Sequence, residues 1–371
     1  MKSITYIGMD VHSESFTLCC FTLEEEKERY LQKIPADYKR VLKYIEWIRS
    51  LQAEETEIVC GYEAGCLGYT LYRQLTQRNV KCIILAPSTM ETSPRNKKIK
   101  NDKRDAAAIA RCLAHHSYRP VYVPTQQDEQ VKEYIRMRDD HKLALKKIKQ
   151  QINAFCLRHG CHYDGTKRKW TGVYLKWLHS LELEPLYREV LDEYLATYHQ
   201  LADKIERYDR RIEELAGKEP YREGVKRLSC LLGIKSHTAL AAMVEVGDYK
   251  RFAKAGQFAA YLGLVPGEDS SGGSQNNLGI TKMGNRHMRH LLIEAAQGYG
   301  RGKAGVKSKV LKQRQEGNPV EVIAYADRAN ERLRRKYYRM ILSGKKANVA
   351  KTAIARELAC FMWGIMTDHT A

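Results

Sequence analysis

The chain has 371 residues, of which 63 are lysine or arginine and 44 are aspartate or glutamate, so its formal net charge is +19. A chain of this length can form two or three domains with a sizeable core. The positive charge favours a polyanionic partner, nucleic acid before a membrane surface, because binding would release condensed counterions. Charge alone does not exclude an unrelated basic enzyme. The excess is strongest in residues 301–356, which hold sixteen basic and four acidic side chains.

The start of the chain and its cysteines predict a cytoplasmic protein with no membrane association. In the first ten residues, MKSITYIGMD, Asp10 stands where the apolar core of a signal peptide would continue. No apolar run approaches the ~20 residues that a bilayer-spanning helix needs. Ten scattered cysteines are typical of reduced thiols. Metal-ligating residue types cluster at Cys156, His159, Cys161 and His162, but without a paired C-x-x-C they favour an ordinary helix end over zinc.

Residues 1–125 predict a mixed α/β domain. Two β-rich runs, 4–12 and 16–22, flank a short polar turn and predict an antiparallel hairpin, with a third strand at 30–35. A helix is predicted at 38–51 from apolar residues at three- and four-residue spacing. The pattern then alternates: strand 57–63, helix 70–78, strand 80–86 and a helix around and after Asp105. Such an order predicts a mixed sheet of about five strands.

Residues 126–217 predict two long antiparallel helices with a linking segment. Apolar side chains recur at steps of three and four, and Gly160 and Gly217 end the two helical patterns. The apolar seam from Leu191 to Leu215 is narrow, which favours a coiled-coil arm. An ordinary helical bundle remains open.

Residues 218–371 predict a mostly helical C-terminal domain. Near its start, Leu232 to Lys235 form a turn between two apolar helices, as in a helix-hairpin-helix, where the N–H groups of the turn face a phosphate. A plain helical hairpin fits as well. Further on, GEDSSGGSQNNLG at 267–279 is a polar, glycine-rich loop between apolar segments and contains Ser270, Ser271 and Ser274.

Four carboxylates lie at the ends or edges of adjacent predicted elements of the α/β domain. Asp10 and Glu63 each end an apolar strand, where a carboxylate is costly unless it is paired or bound to a metal. Asp102 and Asp105, three residues apart, would share one face of a helix. Alone, this pair also fits an exposed helix start. Together, the four residues predict a site for two divalent cations about 4 Å apart that supports phosphoryl transfer.

The order D, E, D-x-x-D on hairpin strand, middle strand and helix resembles the RuvC-like branch of the ribonuclease H fold. The whole chain is similar to DEDD transposases of the insertion-sequence one-ten family, the bridge-RNA-guided recombinases. The front half matches in YIGMDVH, YEAG and KNDKRDA. The back half matches in LLGIKSHTA, RFAKAGQFAAYLGLVPGEDSSGG, GITKMGNRHMRHLLIEAA and GKKANVAKTAIARELACFMWGI.

The resemblance implies a set of site residues. Asp10, Glu63, Asp102 and Asp105 become a tetrad that binds Mg²⁺, as two ions. Ser271, five residues after Pro266, becomes the nucleophile that joins the protein covalently to DNA. Ser270 is a second candidate. No histidine neighbours these serines in sequence, although His287 and His290 follow on the next predicted helix.

The resemblance also implies partners: donor and target DNA, a structured guide RNA that pairs with both, and further copies of the chain. The copies would be dimers that assemble into a tetramer, with the two halves of an active site on different subunits. The protein would be bacterial, cytoplasmic and associated with the nucleoid. The basic segment 282–290 and residues such as Arg334, Arg335, Lys345 and Lys346 are candidates for phosphate contacts.

Two other functions remain open on the sequence. A hydrolytic RuvC-like Holliday-junction nuclease would use the same carboxylates and a water molecule, with the serine loop merely structural. A sugar-kinase-like ATPase would use the first hairpin to approach phosphate. It would also need a second glycine-rich phosphate loop, for which YEAGCLG is a poor match, and the charge of +19 disfavours it.

Overall fold

The computed structural model describes residues 3–52, 56–90, 101–268, 277–303 and 305–370. The chain folds into two compact units, Met1–Val123 and Pro124–Ala371. Within the described ranges, no helix combines the length and the apolar character that a bilayer crossing requires. The domain boundaries predicted at 125/126 and 217/218 stay predictions.

The first unit is built on a five-stranded mixed sheet of order β3-β2-β1-β4-β5. The first three strands are antiparallel, and β4 and β5 run parallel to β1. The predicted mixed sheet is confirmed, and it is consistent with a ribonuclease H-like domain. Its strands are β1 (Ile4–Val11), β2 (Ser15–Thr22), β3 (Lys27–Pro35), β4 (Glu57–Glu63) and β5 (Lys81–Leu85).

Helices cover the sheet on both faces because its side chains alternate between two apolar layers. Ile7 and Met9 face the layer of α1 (Tyr38–Ser50) and α2 (Thr70–Thr76). Tyr6 faces the other layer, formed by α3 (Asp102–Ala114). A Cβ on Gly8 would lie 2.1 Å from the carbonyl oxygen of Ala106, so α3 lies directly against the backbone of β1.

The second unit begins with the two long helices that the sequence predicts, α4 (Gln126–Arg158) and α6 (Pro185–Ala216), with α5 (Gly172–His179) between them. Ring contacts pair Tyr134 with Tyr208 and Phe155 with Tyr187, in opposite chain order, so α4 and α6 are antiparallel. Where α5 packs on the pair, a separate apolar core forms around Phe155. Coiled-coil geometry stays a prediction.

The rest of the second unit is mostly helical, as predicted. Its one short hairpin among the described residues pairs β6 (Pro266–Glu268) with β7 (Asn277–Ile280). Ile135 and Ile212, near the base of the arm helices, belong to the same apolar core as this region. The helices are α7 (Arg222–Leu228), α8 (Ser236–Val246), α9 (Ala255–Tyr261), α10 (Arg286–Ala296), α11 (Lys309–Gln315), α12 (Val320–Leu342) and α13 (Ala347–Met366).

All ten cysteines are free thiols, as the sequence predicts. In the group of metal-ligating residue types at 156–162, Cys156 is buried in the apolar core of the arm. His159 packs its ring against Phe155 and Tyr187. These contacts are those of an ordinary helix end.

Candidate active site

Three side chains of the first unit come close enough to share a metal ion. The ligand atoms of Asp10, His12 and Asp102 all lie within 4.8 Å of one another. Asp10 stands near the end of β1 with a side chain only 15% exposed, and His12 Nδ1 lies 3.5 Å from its Oδ2. The sequence prediction missed His12. The available signal was its spacing, because residues i and i+2 of a strand lie on the same side.

The close approach of β1 and α3 brings the two aspartates together. Asp10 follows Gly8 by two residues and therefore shares its face of the sheet. Asp102 precedes Ala106 by four residues, about one helical turn. Since Gly8 and Ala106 are in backbone contact, the ends of the two elements must be adjacent. The helix begins at Asp102 because the side chain of Asn101 caps it, accepting from the backbone N–H of Lys103 at 3.0 Å.

Glu63 and Asp105, the other two predicted carboxylates, lie beside this group. The pairing of β1 with β4 ends at Met9 opposite Tyr62, one residue before Asp10 and Glu63. Glu63 is exposed, and Asp105 lies in the first turn of α3. In the described part of the chain, neither belongs to the group of ligand atoms within 4.8 Å. The structure thus unites two of the four predicted carboxylates, and the tetrad stays a prediction.

A lysine forms an ion pair with one carboxylate of the group. Lys33 Nζ on the edge strand β3 donates to Asp102 Oδ2 at 3.1 Å. This hydrogen bond, with the charges of Lys33 and His12, holds the pKa of Asp102 below its ordinary value. Asp102 is therefore an anion at neutral pH. The two carboxylates offer the oxygen ligands that Mg²⁺ prefers, whereas His12 adds a nitrogen that transition metals favour more.

The serines of the C-terminal loop, Ser270, Ser271 and Ser274, lie outside the described residues. The base of their loop is well defined, because Pro266 pairs with Ile280 where β6 and β7 meet. Below it, Arg289 Nη1 donates to the carbonyls of Leu262 and Met283 at 2.8 and 2.9 Å. A buried guanidinium therefore joins α10 to the chain segments on either side of the hairpin.

Two side chains of the basic segment 282–290 point into the protein. His287 Nδ1 lies 3.1 Å from Glu245 Oε1, and its Nε2 lies 2.9 Å from Asp139 Oδ2. Arg289 is buried beneath the hairpin. The phosphate contacts predicted for this segment can therefore come only from its exposed residues, which include Arg286 and His290.

The turn between α7 and α8 fits the plain helical hairpin better than a phosphate site. Its Leu232 N–H donates to the side chain of Asn330 at 2.7 Å, and the Ile234 N–H donates to Leu231. Gly233, with φ of +85°, packs against α10, where a Cβ would lie 2.3 Å from the carbonyl oxygen of Ala295. Two N–H groups of the turn are thus already engaged within the protein.

Known families match both parts of the chain. A DEDD model for IS110 elements, described as Transposase, matches residues 7–159, and one described as Transposase IS116/IS110/IS902 family matches residues 225–306. The y4qE protein of Sinorhizobium fredii is 35% identical over 86% of this chain and 78% of its own length. The transposase for insertion sequence element IS1533 of Leptospira borgpetersenii is 33% identical over 93% of this chain and 99% of its own.

The chain belongs to the IS110 family of DEDD transposases. A more distant member, the transposase for insertion sequence element IS1111A of Coxiella burnetii, is 28% identical over 84% of this chain and 83% of its own. As a member of the IS110 family, the chain is a DNA transposase that acts in recombination. The first family model spans all four predicted carboxylates, and the second spans the hairpin that carries the serine loop.

Proposed function

We propose that this transposase cleaves and rejoins DNA with the carboxylate group of its first unit and with Ser271 of its second. The observation that carries the proposal is the convergence of Asp10, His12 and Asp102 within 4.8 Å at the end of β1 and the start of α3. Two carboxylates held this close repel each other unless a cation lies beside them, which is the arrangement that a metal site provides.

Asp10 and Asp102 are the residues that would hold Mg²⁺, with Glu63 and Asp105 completing the site for two ions. Bound Mg²⁺ would stabilise the negative charge that develops on the phosphate oxygens. The protein supplies the rest: Lys33 pairs with Asp102 at 3.1 Å, and the exposed side chain of Glu63 lies at the next strand end. His12, 55% exposed, is placed to exchange a proton with a substrate or to bind an ion.

In the second unit, Ser271 is the nucleophile of the proposed reaction. Its Oγ gives up its proton and forms a bond to phosphorus while one phosphodiester P–O bond breaks, and the displaced DNA oxygen takes up a proton. The phosphoserine linkage conserves the energy of the broken bond, so a second DNA hydroxyl can replace the serine and join the strands. The buried Arg289 supports this step by fixing the hairpin on which the serine loop is carried.

Membership of the family supports the partners that we propose with this chemistry. They are donor and target DNA, a structured guide RNA that pairs with both, and further copies of the chain that assemble as dimers into a tetramer in the bacterial nucleoid. If the two halves of a site come from different subunits, mixing inactive Asp102→Asn and Ser271→Ala proteins should restore recombination at about a quarter of the sites. No recovery after mixing would place both halves on one chain.

The covalent adduct is the decisive test. With DNA that carries the element ends and with Mg²⁺, the parent protein should form a protease-sensitive adduct that migrates slowly on a denaturing gel. Ser271→Ala should lose the adduct and recombination but keep DNA binding, whereas Ser270→Ala and Ser274→Ala should keep all three. An adduct lost only in Ser270→Ala would move the nucleophile one residue earlier. Cleavage without any adduct would favour the hydrolytic nuclease.

A further inference from the structure

The edge strand β3 contains an irregularity that exposes an aromatic ring. Leu18 pairs with Gln32 and Cys20 with Arg29, so two residues of β3 oppose the single residue Cys19. Such a bulge re-aims the side chains of the strand that carries it. The first bulged residue, Tyr30, has φ of +53°, a left-handed conformation that glycine adopts far more easily than tyrosine.

The conformation of Tyr30 is held by contacts with α1. The hydroxyl of Tyr44 donates to the carbonyl oxygen of Tyr30 at 2.5 Å. The ring of Tyr30 packs edge-on against Trp47, with centroids 5.4 Å apart, and Trp47 also contacts Tyr44. Even so, Tyr30 and Trp47 remain 37% and 44% exposed. A strained backbone at Tyr30 thus presents its ring to solvent beside Trp47, and such strain is concentrated at functional sites.

These rings line a groove of about 480 Å³ between β3 and α1. Its wall consists of residues 30–35 with Arg40, Lys43, Tyr44 and Trp47, and contains no acidic residue. On α1, positions 40, 43, 44 and 47 fall on one face of the helix, so two cations are followed by two rings along the groove. Flat rings beside cations are what an unpaired nucleic acid strand requires: stacking for its bases and charge for its phosphates.

The groove and the carboxylate group lie on opposite faces of the sheet and share the edge strand β3. Lys33, which lines the groove, belongs to the same edge strand and reaches Asp102 with its ammonium group. Side chains of β3 alternate, so Ile34 faces the α1 layer while Lys33 faces the side of α3. A strand with a phosphate at the carboxylates therefore needs only to cross the free edge of β3 to reach Trp47.

We propose that the groove binds an unpaired segment of the DNA strand that is cleaved. The bases of this segment stack on Trp47 and Tyr30, and its phosphates lie beside Arg40 and Lys43. This inference rests on the proposed DNA cleavage at the carboxylate group. The role of the groove is to hold the DNA strand unpaired, a few nucleotides from the scissile phosphate at the carboxylate group.

Binding measured without cleavage tests the groove. Full-length protein in EDTA is titrated into labelled single-stranded DNA, the matching duplex, an RNA of the same sequence and a DNA strand with abasic nucleotides. Trp47→Leu should weaken binding to single-stranded DNA about tenfold or more, the size of one lost base stack, and change duplex binding less than about twofold. Trp47→Phe should retain most of the affinity, because a ring remains.

Further variants separate rings from charge. Tyr30→Gly suits the left-handed backbone and should keep the bulge, so any loss reports the ring alone. Tyr187→Leu removes a ring of the arm that is equally exposed, at 44%, and should change nothing. Lys43→Gln should flatten the dependence of single-strand affinity on salt by about 0.7, the value for one phosphate contact.

The inference would be overturned by unchanged affinity in Trp47→Leu, by an equal loss on duplex, or by a loss on abasic DNA as large as on normal DNA. A loss confined to RNA would also overturn it. The proposed cleavage site is tested separately, because it requires Asp102→Asn to abolish cleavage while leaving single-strand binding intact.

Discussion

At the scale of single residues, Lys33 controls how readily the carboxylate group accepts a metal ion. Its ammonium occupies one oxygen of Asp102 and competes with a divalent cation. Lys33→Gln should therefore bind Mn²⁺ more tightly, by up to about fivefold for an exposed ion pair. Calorimetric titration with Mn²⁺ checks this. Lys81→Gln is the matched control, because Lys81 pairs with Glu57 at 2.9 Å and is equally exposed. Weaker binding in Lys33→Gln would mean that the lysine organises the site.

His287 makes the stability of the second unit depend on pH. Burial lowers its pKa, but the hydrogen bonds with Asp139 and Glu245 and their charges outweigh this and raise it to about 9. Arg136 and Lys132 also face Glu245, and Arg138 faces Asp139. Because the pKa of His287 in the folded protein lies above the unfolded value of 6.5, protonation of His287 stabilises the fold. This contribution to the free energy of unfolding is fully present below pH 6.5. This contribution is lost as the pH rises through about 9.

Urea unfolding between pH 6 and pH 10 tests the effect. The free energy of unfolding of the parent protein should fall over this range by at most about 3 kcal/mol more than that of His287→Gln. The comparison with the variant removes the contribution of lysines and tyrosines that titrate at high pH. Parallel curves for the two proteins would show that folding leaves the pKa of His287 unchanged.

The residues of the candidate site differ in how far the sequence reveals them. Asp10 and Asp102 were predictable because each interrupts or begins a strongly patterned element. His12 was revealed only by its spacing of two residues from Asp10, a signal that a histidine in a turn would give as well. Lys33 was not predictable, because its contact with Asp102 joins residues 69 positions apart and depends on the pairing of β3. Local patterns carry no information on such contacts.

At the scale of elements, the approach of α3 to β1 determines whether the site exists. Gly8→Ala would place a methyl group 2.1 Å from the carbonyl oxygen of Ala106 and 2.3 Å from the N–H nitrogen of Ala110, so α3 must shift. We expect a loss of roughly 1–3 kcal/mol in the free energy of unfolding and weakened Mn²⁺ binding, because Asp102 moves with the helix.

Gly65→Ala is the control for this variant, because the nearest atom to its Cβ would be 3.9 Å away. It should leave both the stability and the Mn²⁺ affinity close to the parent values. Intact Mn²⁺ binding in a destabilised Gly8→Ala protein would show that the contact positions the helix without positioning the ligands.

The sequence predicted most elements of the first unit, since alternating and helical apolar periods survive in each of them. It placed the start of β3 at residue 30, whereas the strand begins at Lys27, because the bulge breaks the alternation that marks a strand. The hairpin of β6 and β7 appeared only as a polar loop. Strands of three and four residues in a glycine-rich segment are too short to show any period.

At the scale of the whole molecule, net charge overstates the surface available to nucleic acid. Of the basic residues between 301 and 356, Arg334 donates to the carbonyls of Lys303 and Val306, and Arg335 pairs with Glu331. Lys345 and Lys346, in contrast, are exposed at the start of α13. The sequence supplies the sign and the amount of charge, but the internal pairing depends on which acidic groups and carbonyls the fold places nearby.

The salt dependence of DNA binding distinguishes exposed from internally paired charge. If Lys345 and Lys346 contact phosphates, replacing both with glutamine should reduce the slope of log affinity against log salt by about 1.8 on duplex DNA, or about 0.9 for each contact. The same change of charge at Arg335 and Lys336, which pair with Glu331 and Glu357, should alter the slope much less. Anisotropy titrations of the full chain give both slopes. They are made between about 50 and 300 mM salt, where counterion release dominates the change in affinity. Equal slopes in the parent and the Lys345/Lys346 variant would move the DNA-binding surface away from the start of α13. A larger effect at Arg335 and Lys336 would mean that their ion pairs open when DNA binds.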